Sequence, residues 1–296
     1  MLKNFFKDAD SALASEKSAA SLPAMPPRKW FLCVLLAVLS AGSALAQTPP
    51  LPHIWIFNGT PGDDEHHTFY ETNIGRMRKA FIERFGIPTD NITALYGPKS
   101  AGYDGACTRE ALLAELTKVV EFTKQPGAVA WLIFEGHANA IAGGANFNLP
   151  GPDLNTREIG EALKPAAPNA SIVVFATTAC SAAFVRPLAA PGRLIVSATT
   201  RDDPENETEF PEALAYALEA PETDANHDGT VSVLELFLAC HARVQQIYER
   251  GHFMIKEHAQ LDGDGDGRGT QRPSPIDAEP ASRIGLRLPN RDKKFE

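Results

Sequence analysis

Two side chains that could act together in nucleophilic catalysis each follow an apolar run of the sequence. His137 comes after "AVAWLIFEG", and Cys180 comes after "SIVVFATTA". An imidazole can take the proton of a thiol, and the thiolate that results is a strong nucleophile. The pattern therefore suggests His137 as a general base for Cys180. The alternative is a packed thiol near a histidine that only forms structural hydrogen bonds.

The elements that must position these residues alternate between strand and helix patterns. Continuous apolar runs are separated by segments with apolar residues at helical spacing, which predicts an α/β fold with a mainly parallel sheet and helices on both faces. Ligands of such sheets bind beyond the carboxyl ends of the strands. Four loops are expected at that edge, namely 58–67, 135–140, 177–182 and 199–207.

An acidic stretch, "DANHDGTVSVLE", has the spacing of a calcium-binding loop. Thr230 at its seventh position offers a carbonyl oxygen, and Gly229 permits the sharp turn before it. The stretch matches the EF-hand pattern, and helical patterns flank it on both sides. The alternative is an acidic loop that binds no ion. Side-chain ligands are expected from Asp224, Asn226, Asp228, Ser232 and Glu235.

A second stretch, "DGDGDGRGT", contains the first half of such a loop. Its acidic positions are Asp262, Asp264 and Asp266, and Pro273 stands where the closing carboxylate is expected. The stretch is therefore either a second, weaker calcium loop that borrows a ligand such as Glu279, or a segment that packs against the first loop. The first loop is expected to hold a structural calcium ion rather than a signalling one.

The segments around His137 and Cys180 resemble the legumain-like branch of the caspase/hemoglobinase cysteine peptidases, in their bacterial form. The segments "LIFEGHA" and "VVFATTAC" correspond to the two strands that lead to the family's His-Gly and Ala-Cys pairs. Other similar stretches are "GTPGDDEH", "NLPGPDL" and "PGRLIVSAT", so the resemblance extends from about His53 to Thr200. It implies a caspase-like fold and hydrolysis of peptide bonds in a peptide or protein substrate. It also implies His137 as base, Cys180 as nucleophile, and the N–H groups of Ala138 and Cys180 as oxyanion donors.

The chain departs from this family at three points. Ala138 replaces the glycine after histidine, and "CSA" replaces Cys-x-Ser-Gly, so Ala179 is an alternative occupant of the nucleophile's position. The loop after the first strand is acidic and rich in histidine at residues 63–67, with no arginine for recognising a substrate. Arg201 is a candidate substitute, or a solvated charge. The 63–67 cluster is either a metal site or a solvated loop.

Residues 1–46 have the pattern of a signal peptide, in which a basic pair precedes a short apolar run and "ALA" ends at the expected cleavage point. Translation starting at Met25 would give a more typical length, and a retained anchor is the alternative. After cleavage, no stable membrane insertion is expected, and the protein would be periplasmic or extracellular. The net charge of −9 argues against nucleic acid as a partner. Three cysteines would remain, and a Cys107–Cys240 disulfide is one option.

Four segments follow from these patterns. They are a signal peptide at 1–46, a caspase-like α/β domain at 47–219, an EF-hand-like segment at 220–270 and an irregular tail at 271–296. The first functional hypothesis is an exported, calcium-binding cysteine peptidase with a Cys180–His137 dyad. The second is a catalytically inactive, calcium-binding module on the same fold.

Overall fold

A mixed sheet of seven strands forms the centre of the protein in the computed structural model, which describes residues 50–98, 101–168, 170–203 and 206–289. The strands are β1 His53–Asn58, β2 Ile92–Tyr96, β3 Gly105–Ala106, β4 Val129–Glu135, β5 Ala138–Ile141, β6 Gly144–Phe147, β7 Leu154–Asn155, β8 Ser171–Ala176, β9 Arg193–Ser197, β10 Thr230–Ser232, β11 Gln260–Asp262 and β12 Gly285–Arg287. The main sheet has the order β11-β9-β8-β4-β1-β2-β3, and only β11 runs antiparallel to its neighbour. Strands β5, β6 and β7 form a small antiparallel sheet, and β10 pairs with β12.

The helices connect the strands in the alternating pattern that the sequence predicts. They are α1 Asp64–Lys79, α2 Arg109–Phe122, α3 Thr156–Leu163, α4 Ala182–Leu188, α5 Phe210–Glu219, α6 Val233–Gly251 and α7 Pro275–Arg283. A π-helical turn, Ala80–Arg84, continues α1, and short 3-10 segments lie at Thr89–Asn91 and Pro221–Thr223.

The two faces of the main sheet carry separate apolar clusters. In β4, Trp131 and Ile133 belong to one cluster, whereas Leu132 and Phe134 belong to the other. Helices α1, α5 and α6 contribute to the first cluster, and α2, α3 and α4 contribute to the second. Because successive side chains of a strand point to opposite faces, the continuous apolar runs serve both clusters. The predicted mainly parallel sheet with helices on both faces is confirmed.

Side chains of capping residues hydrogen-bond to the first turn of three of the described helices. The Thr108 hydroxyl accepts a hydrogen bond from the backbone N–H of Ala111 at the start of α2. Asn155 caps α3, and Ser232 caps α6, each within a reciprocal capping box. These side chains satisfy N–H groups that the first helical turn leaves without intrahelical partners.

The C-terminal part contains more regular structure than its sequence pattern indicates. The prediction of an irregular tail from residue 271 is wrong for α7 and β12, which lie within it. The short α7 contains two prolines and therefore has a weak helical pattern, although proline suits its first position. Leu286 on β12 is fully buried in the first apolar cluster, so packing against β10 stabilises this segment.

The predicted signal peptide, residues 1–46, lies outside the described residues. Within the part of the chain that is described, no helix has the length and apolar character needed to cross a bilayer.

Candidate functional site

His137 lies at the carboxyl edge of the sheet, two residues beyond the end of β4. Gly136, with a φ of 114°, packs against Gly59, whose backbone nitrogen would lie 3.0 Å from a Cβ at Gly136. Gly62, with a φ of 86°, comes so near that a Cβ there would lie 3.0 Å from His137 Nε2. These two glycines therefore allow the loops after β1 and β4 to close around the imidazole.

Both ring nitrogens of His137 have hydrogen-bond partners. Nε2 donates to the carbonyl oxygen of Pro61 at 2.7 Å, and Nδ1 makes a very short hydrogen bond to the Glu207 carboxylate. A carbonyl and an ionised carboxylate only accept, so these partners favour a ring protonated on both nitrogens. The hydrogen bond to Glu207 raises the pKa of His137, and the opposing effect of burial is smaller.

Glu207 links the His137 loop to helix α1. Its second carboxylate oxygen accepts a hydrogen bond from the Tyr70 hydroxyl at 2.7 Å. Burial acts to raise the pKa of Glu207, but the hydrogen bonds from His137 and Tyr70 lower it below the usual value. Glu207 lies in one of the four edge loops expected from the sequence, but no sequence pattern marks it as a partner of His137. The signal in the sequence is that Glu207 is an acidic residue in a loop at the same edge of the sheet as His137.

His66 completes a group of three possible metal ligands with His137 and Glu207. One ligand atom from each residue lies within 4.8 Å of the other two. The rings of His66 and His137 are 4.9 Å apart, and His66 Nδ1 lies 2.8 Å from Asp63 Oδ1. Within the acidic-histidine cluster at 63–67, His66 is therefore the residue that contributes to this group.

Cys180 lies in a tight reversal between β8 and α4. Its φ of 53° is in the left-handed region, which is uncommon for a residue with a side chain. The Cys180 carbonyl accepts a hydrogen bond from Ala183 N–H at 2.9 Å as α4 begins. Cys180 is half-buried and lines a cleft, whereas Ala179 is only 4% exposed. Of the two candidate positions, Cys180 is thus the one that faces the cleft.

The cleft beside Cys180 has a volume of about 350 Å³. It lies between the β5–β6 hairpin, helix α4 and the loop that follows β9. Two exposed arginines, Arg186 and Arg201, contribute to its lining, while the Asp203 carboxylate is hydrogen-bonded by His258. Among the described residues, the lining is Ala140, Ile141, Gly143, Gly144, Cys180, Ala182, Ala183, Arg186, Pro187, Thr200, Arg201 and Asp203.

The pairing of β5 with β6 determines the direction of the Ala138 N–H, one of the two expected oxyanion donors. It lies opposite Phe147 in the β5–β6 pair, and Asn148 N–H donates to His137 O at 3.0 Å in the adjacent pair. In antiparallel sheets hydrogen-bonded and non-hydrogen-bonded pairs alternate, so the Ala138 N–H points away from β6.

The expected pair, His137 and Cys180, is brought to the same edge of the sheet. Their strands, β4 and β8, are parallel neighbours in which Phe134 lies opposite Ala176. His137 nevertheless directs its ring nitrogens to Glu207 and Pro61. A proton transfer from Cys180 to Nδ1 would therefore require Nδ1 to leave Glu207.

The first acidic loop is organised by its own side chains. Asp224 Oδ2 accepts a hydrogen bond from the Gly229 N–H at 3.2 Å. Asn226 Oδ1 accepts from the Asp228 N–H at 2.9 Å, and Asp228 Oδ1 accepts from the Thr230 N–H at 2.8 Å. The other oxygen of Asp224 is buried and has no hydrogen-bond partner among the described residues. An anionic oxygen in this position favours a cation.

Glu235 closes the first loop from the first turn of α6. Its Oε1 accepts from the N–H groups of Ala225 and Asn226 at 3.0 and 3.3 Å. Its Oε2 accepts from the Ser232 backbone N–H at 2.8 Å as part of the capping box, and also from the Ser232 hydroxyl at 2.7 Å. Both carboxylate oxygens of Glu235, the ligand expected at the twelfth position of the loop, therefore point back into the loop.

The second acidic loop repeats this arrangement but closes differently. Asp262 Oδ2 accepts from Gly267 N–H at 2.9 Å, and Asp264 Oδ1 accepts from Asp266 N–H at 3.0 Å. Asp277 on α7, rather than the expected Glu279, joins Asp262 and Asp264 in a group whose ligand atoms lie within 4.8 Å of one another. Glu279 instead forms an ion pair with Arg283.

The described cysteines form no disulfide. Cys107 and Cys240 are fully buried in the two apolar clusters on opposite faces of the sheet, which excludes the suggested bond between them. Burial raises the pKa of both thiols well above the usual value. Both therefore serve as apolar core residues, and neither is expected to be a reactive thiolate.

Comparisons with known proteins find distant similarity to solved structures but no match to a family model or a curated sequence. A crystal structure of protein GSU0716 from Geobacter sulfurreducens is similar at a TM-score of 0.44 and 12% sequence identity. The similarity covers 72% of this chain and 93% of that one.

Proposed function

We propose that the protein is an exported, calcium-binding cysteine peptidase with a legumain- or caspase-like fold. Cys180 is the nucleophile and His137 the general base. The observation that carries this proposal is the cleft, because Cys180 lines it beside the hairpin that begins directly after His137. The resemblance of the strands before both residues to the peptidase family supports the same assignment.

The chemistry requires one rearrangement at His137. When Nδ1 leaves Glu207, its proton stays with the Glu207 carboxylate. The free Nδ1 then takes the Cys180 thiol proton, and Sγ attacks the carbonyl carbon of the scissile peptide bond. The N–H groups of Ala138 and Cys180 stabilise the negative oxygen that forms. The C–N bond then breaks, the amine takes the proton from His137, and water hydrolyses the remaining thioester to release an acid and the thiol.

Calcium has a structural role in this proposal. The first loop supplies Asp224, Asn226, Asp228 and Glu235, with the Thr230 carbonyl and Ser232 completing the set. The buried Asp224 oxygen without a protein partner supports this assignment. The ion would stabilise the connection between α5 and α6, which pack against the first face of the sheet. Weak sites suffice outside the cytosol, where free calcium reaches roughly millimolar levels.

The second candidate function is a calcium-binding module without catalysis. Its supporting observation is that both His137 nitrogens are held by Glu207 and Pro61. If that arrangement persists when a substrate occupies the cleft, Cys180 has no base at His137.

Labelling with a thiol-reactive peptidyl ketone separates the two functions. A peptidase predicts covalent labelling of Cys180 in the protein without its signal peptide, located by mass spectrometry of the digest. Cys180→Ala should abolish both labelling and any cleavage of a mixed peptide library. The control is Cys107→Ala, which removes a buried thiol and should leave labelling intact. If iodoacetamide, a small alkylating reagent, modifies Cys180 but the peptidyl ketone does not, the peptidase function is rejected. The calcium-binding module without catalysis then remains.

A further inference from the structure

His66, His137 and Glu207 come from three separate segments and meet at one point. His66 lies on α1, His137 follows β4, and Glu207 precedes α5. One ligand atom from each lies within 4.8 Å of the other two. Two ligands that bind a tetrahedral zinc at about 2 Å lie roughly 3.3 Å apart, so small side-chain movements would admit an ion. The two histidines are half-buried and Glu207 is exposed, so an ion can reach them from solvent.

Each of the three side chains is held through its other polar atom. His66 Nδ1 is 2.8 Å from Asp63 Oδ1, and His137 Nε2 donates to Pro61 O at 2.7 Å. Glu207 Oε2 accepts from the Tyr70 hydroxyl at 2.7 Å. This leaves His66 Nε2, His137 Nδ1 and Glu207 Oε1 for one ion. Metal-binding histidines and carboxylates in proteins are commonly fixed by such outer hydrogen bonds, because these set the ring tautomer and orientation.

We propose that these three residues form a site for a divalent transition metal and that zinc is the preferred ion. Two imidazoles and one carboxylate suit zinc, whereas calcium prefers an all-oxygen set. Binding places the ion between His137 Nδ1 and Glu207 Oε1, and the Nδ1 proton passes to solvent. A water molecule completes the tetrahedron. The site does not use Cys180, so it stands whether or not the protein is a peptidase.

The metal site and the proposed dyad compete for His137. With Nε2 donating to Pro61 O and Nδ1 bound to zinc, the imidazole has no nitrogen left to accept the Cys180 proton. Zinc would therefore inhibit peptide hydrolysis, a consequence that rests on the proposed function. Metal binding itself is measured separately and does not depend on it.

The site is tested by titrating zinc into the protein without its signal peptide, after a chelator has removed any bound metal. The titration uses a chromophoric competitor and excess calcium, so that the two acidic loops are saturated. We expect one tight zinc equivalent in the wild-type protein and an affinity at least about 100-fold lower in His66→Ala and Glu207→Gln. Cobalt in place of zinc should give the visible absorption of a low-coordinate ion with nitrogen ligands, and both variants should lose it.

Two further variants separate ligation from folding. His252→Asn removes an exposed histidine outside the cluster and should keep the wild-type affinity. Asp63→Asn preserves a helix-capping residue but weakens the hydrogen bond to His66, so its zinc affinity should fall about tenfold. Without metal, all variants should melt near the wild-type temperature. The proposal is overturned if zinc does not bind, or if His66→Ala and Glu207→Gln bind it as tightly as the wild type does.

Discussion

The two acidic loops have the same local geometry and different tertiary settings. In each loop the first aspartate accepts from the glycine N–H at the sixth position, and the third residue accepts from the fifth. The fourth residue has a positive φ in both, 58° at His227 and 76° at Gly265. The first loop closes with Glu235 at its own twelfth position. The second closes with Asp277, which follows the twelfth position of that loop in the sequence and lies on helix α7.

This difference shows which parts of a loop its own sequence can specify. Side chains of the first half hydrogen-bond to backbone groups two to five residues away, so their spacing determines the geometry. The closing carboxylate must approach from outside the turn, and in the second loop tertiary packing brings it. Gly263 packs so tightly on α7 that a Cβ there would lie 2.0 Å from Asp277 O.

The largest expected effect comes from substituting the fourth position of the second loop, with the fourth position of the first loop as its control. A Cβ at Gly265 would lie 2.1 Å from the carbonyl oxygen of Ala190, so Gly265→Ala must displace backbone as well as adopt a strained φ. We expect it to lower the free energy of unfolding by about 3 kcal/mol in urea denaturation. His227→Ala places alanine at the same position of the exposed loop and should change stability by less than about 0.5 kcal/mol. Equal losses in the two variants would show that the loops do not differ in their packing.

A somewhat smaller effect should follow from removing calcium at the first loop. Calcium at about 100 times its dissociation constant would stabilise the protein by about 2.7 kcal/mol, which is about 5–10 °C in melting temperature. Glu235→Gln keeps a residue that suits the capping box but loses the charged ligand, so most of this calcium-dependent shift should disappear. Glu249→Gln removes an exposed carboxylate from the same helix and is the control. A full calcium-dependent shift in Glu235→Gln would exclude the loop as the site.

The smallest effect distinguishes the two possible closing ligands of the second loop. Asp277→Asn should weaken calcium binding at that loop about tenfold, equivalent to about 1.4 kcal/mol, whereas Glu279→Gln should leave it unchanged. Isothermal titration calorimetry resolves this as the affinity of the weaker of two calcium equivalents. The reverse result would show that Glu279, the ligand that the sequence suggests, closes the loop. Helix α7 would then have to rotate when calcium binds.

The edge of the sheet shows a similar division between sequence and tertiary structure. Apolar runs ending at Glu135 and Ala176 predict where His137 and Cys180 lie, because parallel strands end on one side. Nothing in the spacing between residues 137 and 207 indicates that Glu207 contacts His137. That contact depends on the path of the loop before α5 and on Tyr70, which approaches from α1.

The sequence by itself determined the parallel sheet, the helix starts at capping residues and the local turns of both acidic loops. Each depends on side-chain periodicity or on hydrogen bonds between residues close in the chain. The tertiary structure decided the partner of His137, the separation of Cys107 from Cys240 and the choice of Asp277 over Glu279. These depend on contacts between segments far apart in the chain, which packing of the two apolar clusters brings together.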